Sequence, residues 1–318
     1  MTTTMTAPAS SPARVEQPPR RRRRGHKLPY ILLIPAIATL LIGLGYPVTW
    51  QILNSFKEYG LKQQFGQPAE FVGFDNYVAL FTDAVFWQIA LRSVVFMAAT
   101  AAVTMVIGIA FALLMKVIPT WSRITLQVAM LLAWAMPIVA QMTVANWLID
   151  DRNGVLNYVL SLIPGVDYIG HDWLRDPLSF FGVALVIITW ASVPFVAFSV
   201  YAGLTQVSEE VLEAGQLDGA SPFQMLRLII MPIIRPVLVI LILLQLIWDL
   251  RVFAQIQLLQ DFGAAGERYD LLGTYIYGLG IGQGQFGAAA AAAMVVMILT
   301  LTVSWGYVRR LLKEDEES

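Results

Sequence analysis

The sequence predicts an all-α membrane protein with six transmembrane helices and a structured loop between the fourth and the fifth. Three observations predict it. The 318 residues are 57% hydrophobic and 14% charged, with a mean hydropathy of +0.65, which is too apolar and too poor in charge for a soluble domain. Six stretches reach the roughly 20 mostly apolar residues that a helix needs to cross a hydrocarbon core of ~30 Å: residues 29–52, 89–115, 127–149, 181–204, 236–259 and 286–307. Basic residues flank the whole set, Arg20 to Arg24 with Lys27 before the first and Arg309, Arg310 and Lys313 after the last. The net charge of −1 gives no bias toward nucleic acid or a strongly acidic partner. The absence of cysteine excludes disulfides and thiolate metal sites. With only His26 and His171 as imidazoles, no metal or cofactor is expected.

Residues 1–28 hold Thr, Ala, Pro and the arginine run but little to bury, so a disordered basic tail is expected, touching anionic lipid. The apolar run from Tyr30 to Trp50 exceeds the core of a signal peptide and no small-residue cleavage pattern follows, so it reads as the first span. The second, third and fourth spans are long enough without further argument. The fifth is interrupted by Asp249 and Arg251. The sixth carries Ala288 to Ala293, small residues suited to a tight helix–helix seam, and residues 310–318 follow as a short tail. With both termini in the cytoplasm, cytoplasmic segments carry 14 of the 21 Lys and Arg, the bias expected of an inner-membrane protein.

Residues 205–235 are long enough to build structure outside the membrane. Ser208 followed by Glu209 and Glu210 reads as an N-cap with acidic residues in the first turn. Gly215 and Gly219 loosen or end that helix, and Ser221-Pro222 starts a second. Leu226, Ile229 and Ile230 give the second helix an apolar face, and Pro232 and Pro236 are expected to break the chain before span five. The result is a compact acidic knob. It suits docking into a soluble partner, the alternative being an amphipathic connector on the membrane surface, where Lys and Arg would be favoured.

From Glu213 to Ser221 the knob reads E-A-G-Q-L-D-G-A-S, followed by Met231-Pro232 and Arg235-Pro236. This resembles the EAA loop of ATP-binding-cassette importer permeases, usually E-A-A, three residues, D-G-A, then I-x-L-P; Gly215 stands for the third Ala and Met231 for Leu. Leu33-Ile34-Pro35-Ala36, Tyr46-Pro47 and Ser55-Phe56 resemble the family's first span, and Phe71 to Tyr77 its G-x-x-N-Y outer loop. Phe86-Trp87, Asn153 to Asn157 and Tyr275-Ile276-Tyr277 fit as well. The ordered set is similar to the MalF/UgpA type of sugar permease. The resemblance implies the type I ABC importer permease (MetI-like) fold with cytoplasmic coupling helices. It also implies that Glu213 meets a basic residue of an ATPase, that Ala214 belongs to the same coupling motif, and that Asp218, Gly219 and Ala220 form the turn. Implied partners are two ATPase subunits, a second MalG-like permease and an extracytoplasmic sugar-binding protein.

Polar groups at membrane depth face a bundle interior, a cavity or a pathway. Gln245, Trp248 and Asp249 on span five share a face at i, i+3 and i+4, and a ring beside amide and carboxylate acceptors suits a sugar. Gln245 hydrogen-bonded to a neighbouring helix, Asp249 paired with Arg251 or Arg92, and Trp248 as packing are the competing readings. By resemblance, Ser192, Phe195 and Ser199, near Pro194 on span four, also line the cavity. No lysine is followed by Ser or Thr, so the chain has no phosphate loop and is expected not to be an enzyme. An ion-coupled secondary carrier is the alternative; it requires intramembrane titratable groups, of which span five offers Asp249. A membrane enzyme is a further one, without a Ser–His pair or metal cluster at membrane depth.

Overall fold

The computed structural model describes residues 28–264 and 266–317; the basic tail, up to residue 27, lies outside them. The chain divides into two units, residues 1–49 and 50–318. The first is helical throughout its described part: α1 (Leu28–Leu40), a π-turn at Leu41–Gly45, and the start of α2 (Tyr46–Ser55).

In the second unit the end of α2 leads into a short antiparallel pair, β1 (Lys57–Glu58) with β2 (Glu70–Phe71), then α3 (Asp75–Thr82). The G-x-x-N-Y motif has a mechanical role here. Gly73 turns the chain at φ +60°. Asn76 Nδ2 donates to the carbonyls of Ser55 and Lys57 at 2.9 and 3.0 Å, and Tyr77 Oη to Ser55 Oγ at 2.7 Å. The motif thereby fastens the end of α2.

The long elements follow: α4 (Ala84–Val117), α5 (Thr120–Ala135), α6 (Ile138–Ile149), α7 (Val155–Ser161) and α8 (Pro177–Leu204). Next come the knob helices α9 (Glu209–Leu217) and α10 (Pro222–Ile233), then α11 (Arg235–Leu250), α12 (Ala254–Asp261), α13 (Leu272–Tyr277) and α14 (Phe286–Glu317). Among the described residues five helical segments are long and apolar enough to span a membrane, and α5 with α6 makes a sixth if the bent pair is one span.

Two spans depart from straight helices. Span three is an elbow of 102° between α5 and α6, because Pro137 forces Met136 into extended backbone at ψ 129°. Gln141 Nε2 donates to the Met136 carbonyl at 2.7 Å and satisfies an acceptor the elbow would orphan. Span five stops at Leu250 and resumes at Ala254. Pro232, in contrast, does not break the chain. It follows a π-turn at Met225–Ile230 that closes with Met231 N–H on the Leu226 carbonyl, a widened register in which a residue lacking N–H fits. The break falls at Ile234 instead. After Tyr307 the backbone of α14 stays helical to Glu317, as the good helix formers Arg, Leu, Lys and Glu favour.

The bundle packs in two tiers, a lower one toward the knob and an upper one at the opposite end. Toward the knob, Met105 and Ala112 of α4 meet Val196, Val200 and Leu204 of α8 and Leu241 of α11. At the opposite end, Phe96 of α4 meets Met142 of α6, Phe180 and Ile188 of α8 and Ile256 of α12, while Ile89, Leu250, Leu272 and Ala292 form an adjoining cluster. Small residues allow the close approaches. A Cβ on Gly108 would stand 2.5 Å from Val196 Cγ1, and Ala291 and Ala292 of the α14 alanine run are fully buried.

One glycine allows a sharp test. A Cβ on Gly154 would lie 2.3 Å from the carbonyl oxygen of Asp150 and 2.8 Å from its nitrogen, backbone atoms that have nowhere to go. Gly154→Ala should destabilise the purified protein by about 1–3 kcal/mol, as overpacking does, read as a lower midpoint of thermal unfolding.

Candidate functional site

The knob forms as its local chemistry dictates. Ser208 stands at the N-cap of α9, although its side chain makes no cap hydrogen bond, and Glu209 and Glu210 fill the first turn. Asp218 ends the helix, Gly219 takes φ +79°, and Ala220 N–H returns to the Gly215 carbonyl at 3.0 Å. Ser221 then caps α10 reciprocally. Its N–H donates to Gln224 Oε1 at 2.8 Å while its Oγ accepts from Gln224 N at 3.4 Å. Gly215 is buried where α9 crosses α10, and a Cβ there would lie 2.6 Å from Met225 Sδ and 2.7 Å from Ile229 Cδ1. The glycine lets α9 and α10 cross closely here with Met225 and Ile229 laid over it.

Glu213, Ala214, Asp218 and Gly219 are exposed and Ala220 is half-buried. Leu217 is 89% and Phe223 67% exposed, so the knob offers apolar anchors beside its carboxylates. On the other side Val207, Leu212 and Ile230 pack against the lower tier. A force applied to the knob therefore bears directly on α4, α8 and α11.

Between the tiers lies a polar layer. On α4, Thr100 and Thr104 fall between Phe96 and Met105; on α8, Thr189 and Pro194 fall between Ile188 and Val196. On α11, Gln245 and Asp249 fall between Leu241 and Leu250, and the elbow at Met136-Pro137 falls between Met130 and Met142. Gln245 is fully buried and Asp249 is 3% exposed. Thr104 Oγ1 donates to Thr189 Oγ1 at 3.4 Å. In contrast, Thr100 Oγ1, both amide atoms of Gln245 and Asp249 Oδ2 are buried without a hydrogen-bond partner in this chain. Neither arginine weighed as a partner takes that oxygen. Arg92 Nη1 donates to the carbonyls of Glu267 and Asp270 at 2.9 and 3.0 Å, and Arg251 is exposed.

Trp248 is half-exposed and lies against Phe195, with ring centroids 5.1 Å apart; Ser192 and Ser199 are half-buried. The structure thus brings Trp248 and Phe195 together across α11 and α8. A cavity of ≈ 370 Å³ lies between α4, α5 and α8, walled by Ile107, Phe111, Met130, Trp190 and Val193 with Thr189 as its hydroxyl. None of Gln245, Trp248, Asp249, Ser192 or Phe195 lines it.

The family profile of binding-protein-dependent transport system inner membrane components matches residues 104–313. The chain belongs to that family. The permease is 36% identical over 255 residues to the diacetylchitobiose uptake system permease protein DasB of Streptomyces coelicolor, covering 80% of this chain and 77% of that one. It is 28% identical over 243 residues to the trehalose/maltose transport system permease protein MalF of Thermococcus litoralis, covering 76% and 80%. Among solved structures, a chain of a bacterial ABC transporter that imports the acidic polysaccharide alginate superposes with a TM-score of 0.74 at 26% identity. That match covers 89% of this chain and 95% of that one. A second structure of an alginate transporter, in complex with an alginate pentasaccharide-bound periplasmic protein, matches with a TM-score of 0.73 at 25% identity over 87% and 91%. The fold is that of the type I ABC importer permeases, and the protein is a multi-pass transport component of the inner membrane.

Three features went unread in the sequence although a signal was present. Leu217 and Phe223 are apolar residues in a charged loop, Thr100, Thr104 and Thr189 punctuate apolar runs, and Pro137 sits in the middle of span three.

Proposed function

We propose that this permease carries a mono- or oligosaccharide across the cytoplasmic membrane by alternating access, with both termini in the cytoplasm. The observation that carries the reading is the polar layer between two apolar tiers, joined through the lower tier to an exposed knob. Unpartnered amide, carboxylate and hydroxyl groups at the middle of a bundle suit hydroxyl-rich cargo, and the paired rings of Trp248 and Phe195 suit a sugar's apolar face. The sugars in the names of the relatives support the substrate class. The permease works with a second, MalG-like permease, two ATPase subunits docked on the knobs, and an extracytoplasmic sugar-binding protein. Closure of the ATPases pulls the knobs, and the lower tier passes that motion to α4, α8 and α11. Glu213 is the carboxylate that pairs with the ATPase, and Ala214, Asp218, Gly219 and Ala220 shape the turn that enters its groove. An ion-coupled carrier would leave the knob without a task.

Purified alone, the chain should hydrolyse no ATP, and from its native membrane it should co-purify with an ATPase and a second permease. Hydrolysis by the isolated chain after removal of contaminants would refute the reading. Phe223→Ala and Leu217→Ala should each loosen the ATPase by about 1–3 kcal/mol, the range of a docked apolar anchor. Binding of the purified ATPase to the permease in nanodiscs measures it.

A further inference from the structure

The segment after the elbowed third span carries a surface that the transport reading does not use. Val155, Tyr158, Val159, Leu162 and Ile163 are each at least half exposed, and they recur as one stripe at i, i+3, i+4, i+7 and i+8, the first three on α7 and the last two in the turn that follows it. From Gly154 to Val166 there is no charged residue. The opposite face is committed to the protein. Leu156 packs on the upper tier, and Asn157 is buried, donating from Nδ2 to the His171 carbonyl at 2.9 Å and accepting at Oδ1 from Trp173 Nε1 at 2.5 Å. Trp173 stacks on Tyr168 with centroids 5.4 Å apart, and Tyr168 N–H donates to Ser161 Oγ at 2.8 Å. The stripe is therefore held in one orientation, apolar side outward.

We propose that α7 and the turn after it lie in the headgroup–acyl boundary of the leaflet at that end of the bundle, with the stripe buried in lipid. Continuity argues for lipid as the occupant. Helix α6, at membrane depth, ends at Ile149 with Val144, Trp147 and Leu148 exposed, and α7 begins six residues later. An uncharged stripe of aliphatic residues with one tyrosine matches the interface, where the apolar face of a helix sinks ~5–10 Å below the headgroups and Tyr sits at their level. The charged residues Asp151, Arg152 and Asp167 flank the stripe without interrupting it, as expected where an apolar face sinks below the headgroups and its ends stay in water. The anchor holds the far end of α6 at a fixed depth, so that movement of span three is taken up at the Met136-Pro137 elbow. The inference is independent of which cargo the permease carries.

The chain has no cysteine, so a single introduced cysteine can be labelled on the purified permease before it is assembled with its partners. Spin labels at Val159→Cys, Leu162→Cys and Ile163→Cys, with Arg152→Cys as an aqueous control, are placed in the assembled transporter in lipid nanodiscs. Collision with oxygen is compared with collision with a water-soluble nickel chelate. In the stripe the oxygen-to-chelate ratio should exceed that at the control by on the order of tenfold, as for a group moved into the acyl boundary, and adding the sugar-binding protein should not change it. Chelate-accessible labels, chelate access that falls only with the binding protein, or labels shielded from both reagents by the second permease would each overturn the proposal.

Discussion

Glu213→Lys is expected to abolish sugar uptake and weaken association with the ATPase, while the permease stays inserted and folded. The carboxylate is exposed on α9 and the chain itself gives it no structural duty. As a solvated surface charge it contributes ~0–1 kcal/mol. Docked in a groove and stripped of water, an ion pair that loses one partner costs roughly 3–5 kcal/mol, about two to four powers of ten in affinity. Glu209 and Glu210 are the controls, being exposed on the same helix. Reversing either disturbs chiefly the helix dipole, a matter of about 0.3–1 kcal/mol. Charge reversal of the matching basic residue on the ATPase should restore part of uptake and association. Normal transport by Glu213→Lys, or equal harm from Glu209→Lys, would reduce the knob to an acidic surface loop.

The second large effect is expected in the polar layer, where stability and function should separate. A buried polar group without a partner is destabilising by about 1–3 kcal/mol, and an apolar replacement of similar shape is neutral or stabilising. Gln245→Leu and Asp249→Leu should therefore leave the thermal midpoint of the assembled transporter unchanged or raised, yet reduce uptake severely or alter sugar preference. If these side chains instead tie the bundle to a neighbouring helix, the midpoint and the assembly should fall together. Full uptake of every tested sugar by either variant would remove that residue from the pathway.

Spans two and four were legible because a long apolar run at membrane depth can satisfy its backbone only as a helix. The stop in span five was foreshadowed by Asp249 and Arg251, whereas the elbow in span three was not read, although Pro137 marks it. Pro232 was misread for the opposite reason. Its effect depends on a π-turn that no local pattern announces. The knob's caps followed from Ser221, Pro222 and Gly219, residues that act on their immediate neighbours. The polar layer did not follow, because burial of Gln245 and Asp249 depends on which helices surround them, and a face read from spacing alone does not say what it faces. Trp248 illustrates the same limit, sharing the spacing of Gln245 and Asp249 but standing half-exposed beside Phe195.

The crossing at Gly215 couples the changes this surface can accept over generations. An alanine Cβ at that position would lie 2.6 Å from Met225 Sδ and 2.7 Å from Ile229 Cδ1, so both flexible side chains must swing aside or be shortened to admit it. Met225 and Ile229 lie on α10 and Gly215 on α9, so the adjustment to a change in one helix falls on the other. The two knob helices thus change as a matched pair, and a graft that exchanges one of them between relatives should be better tolerated when its partner travels with it.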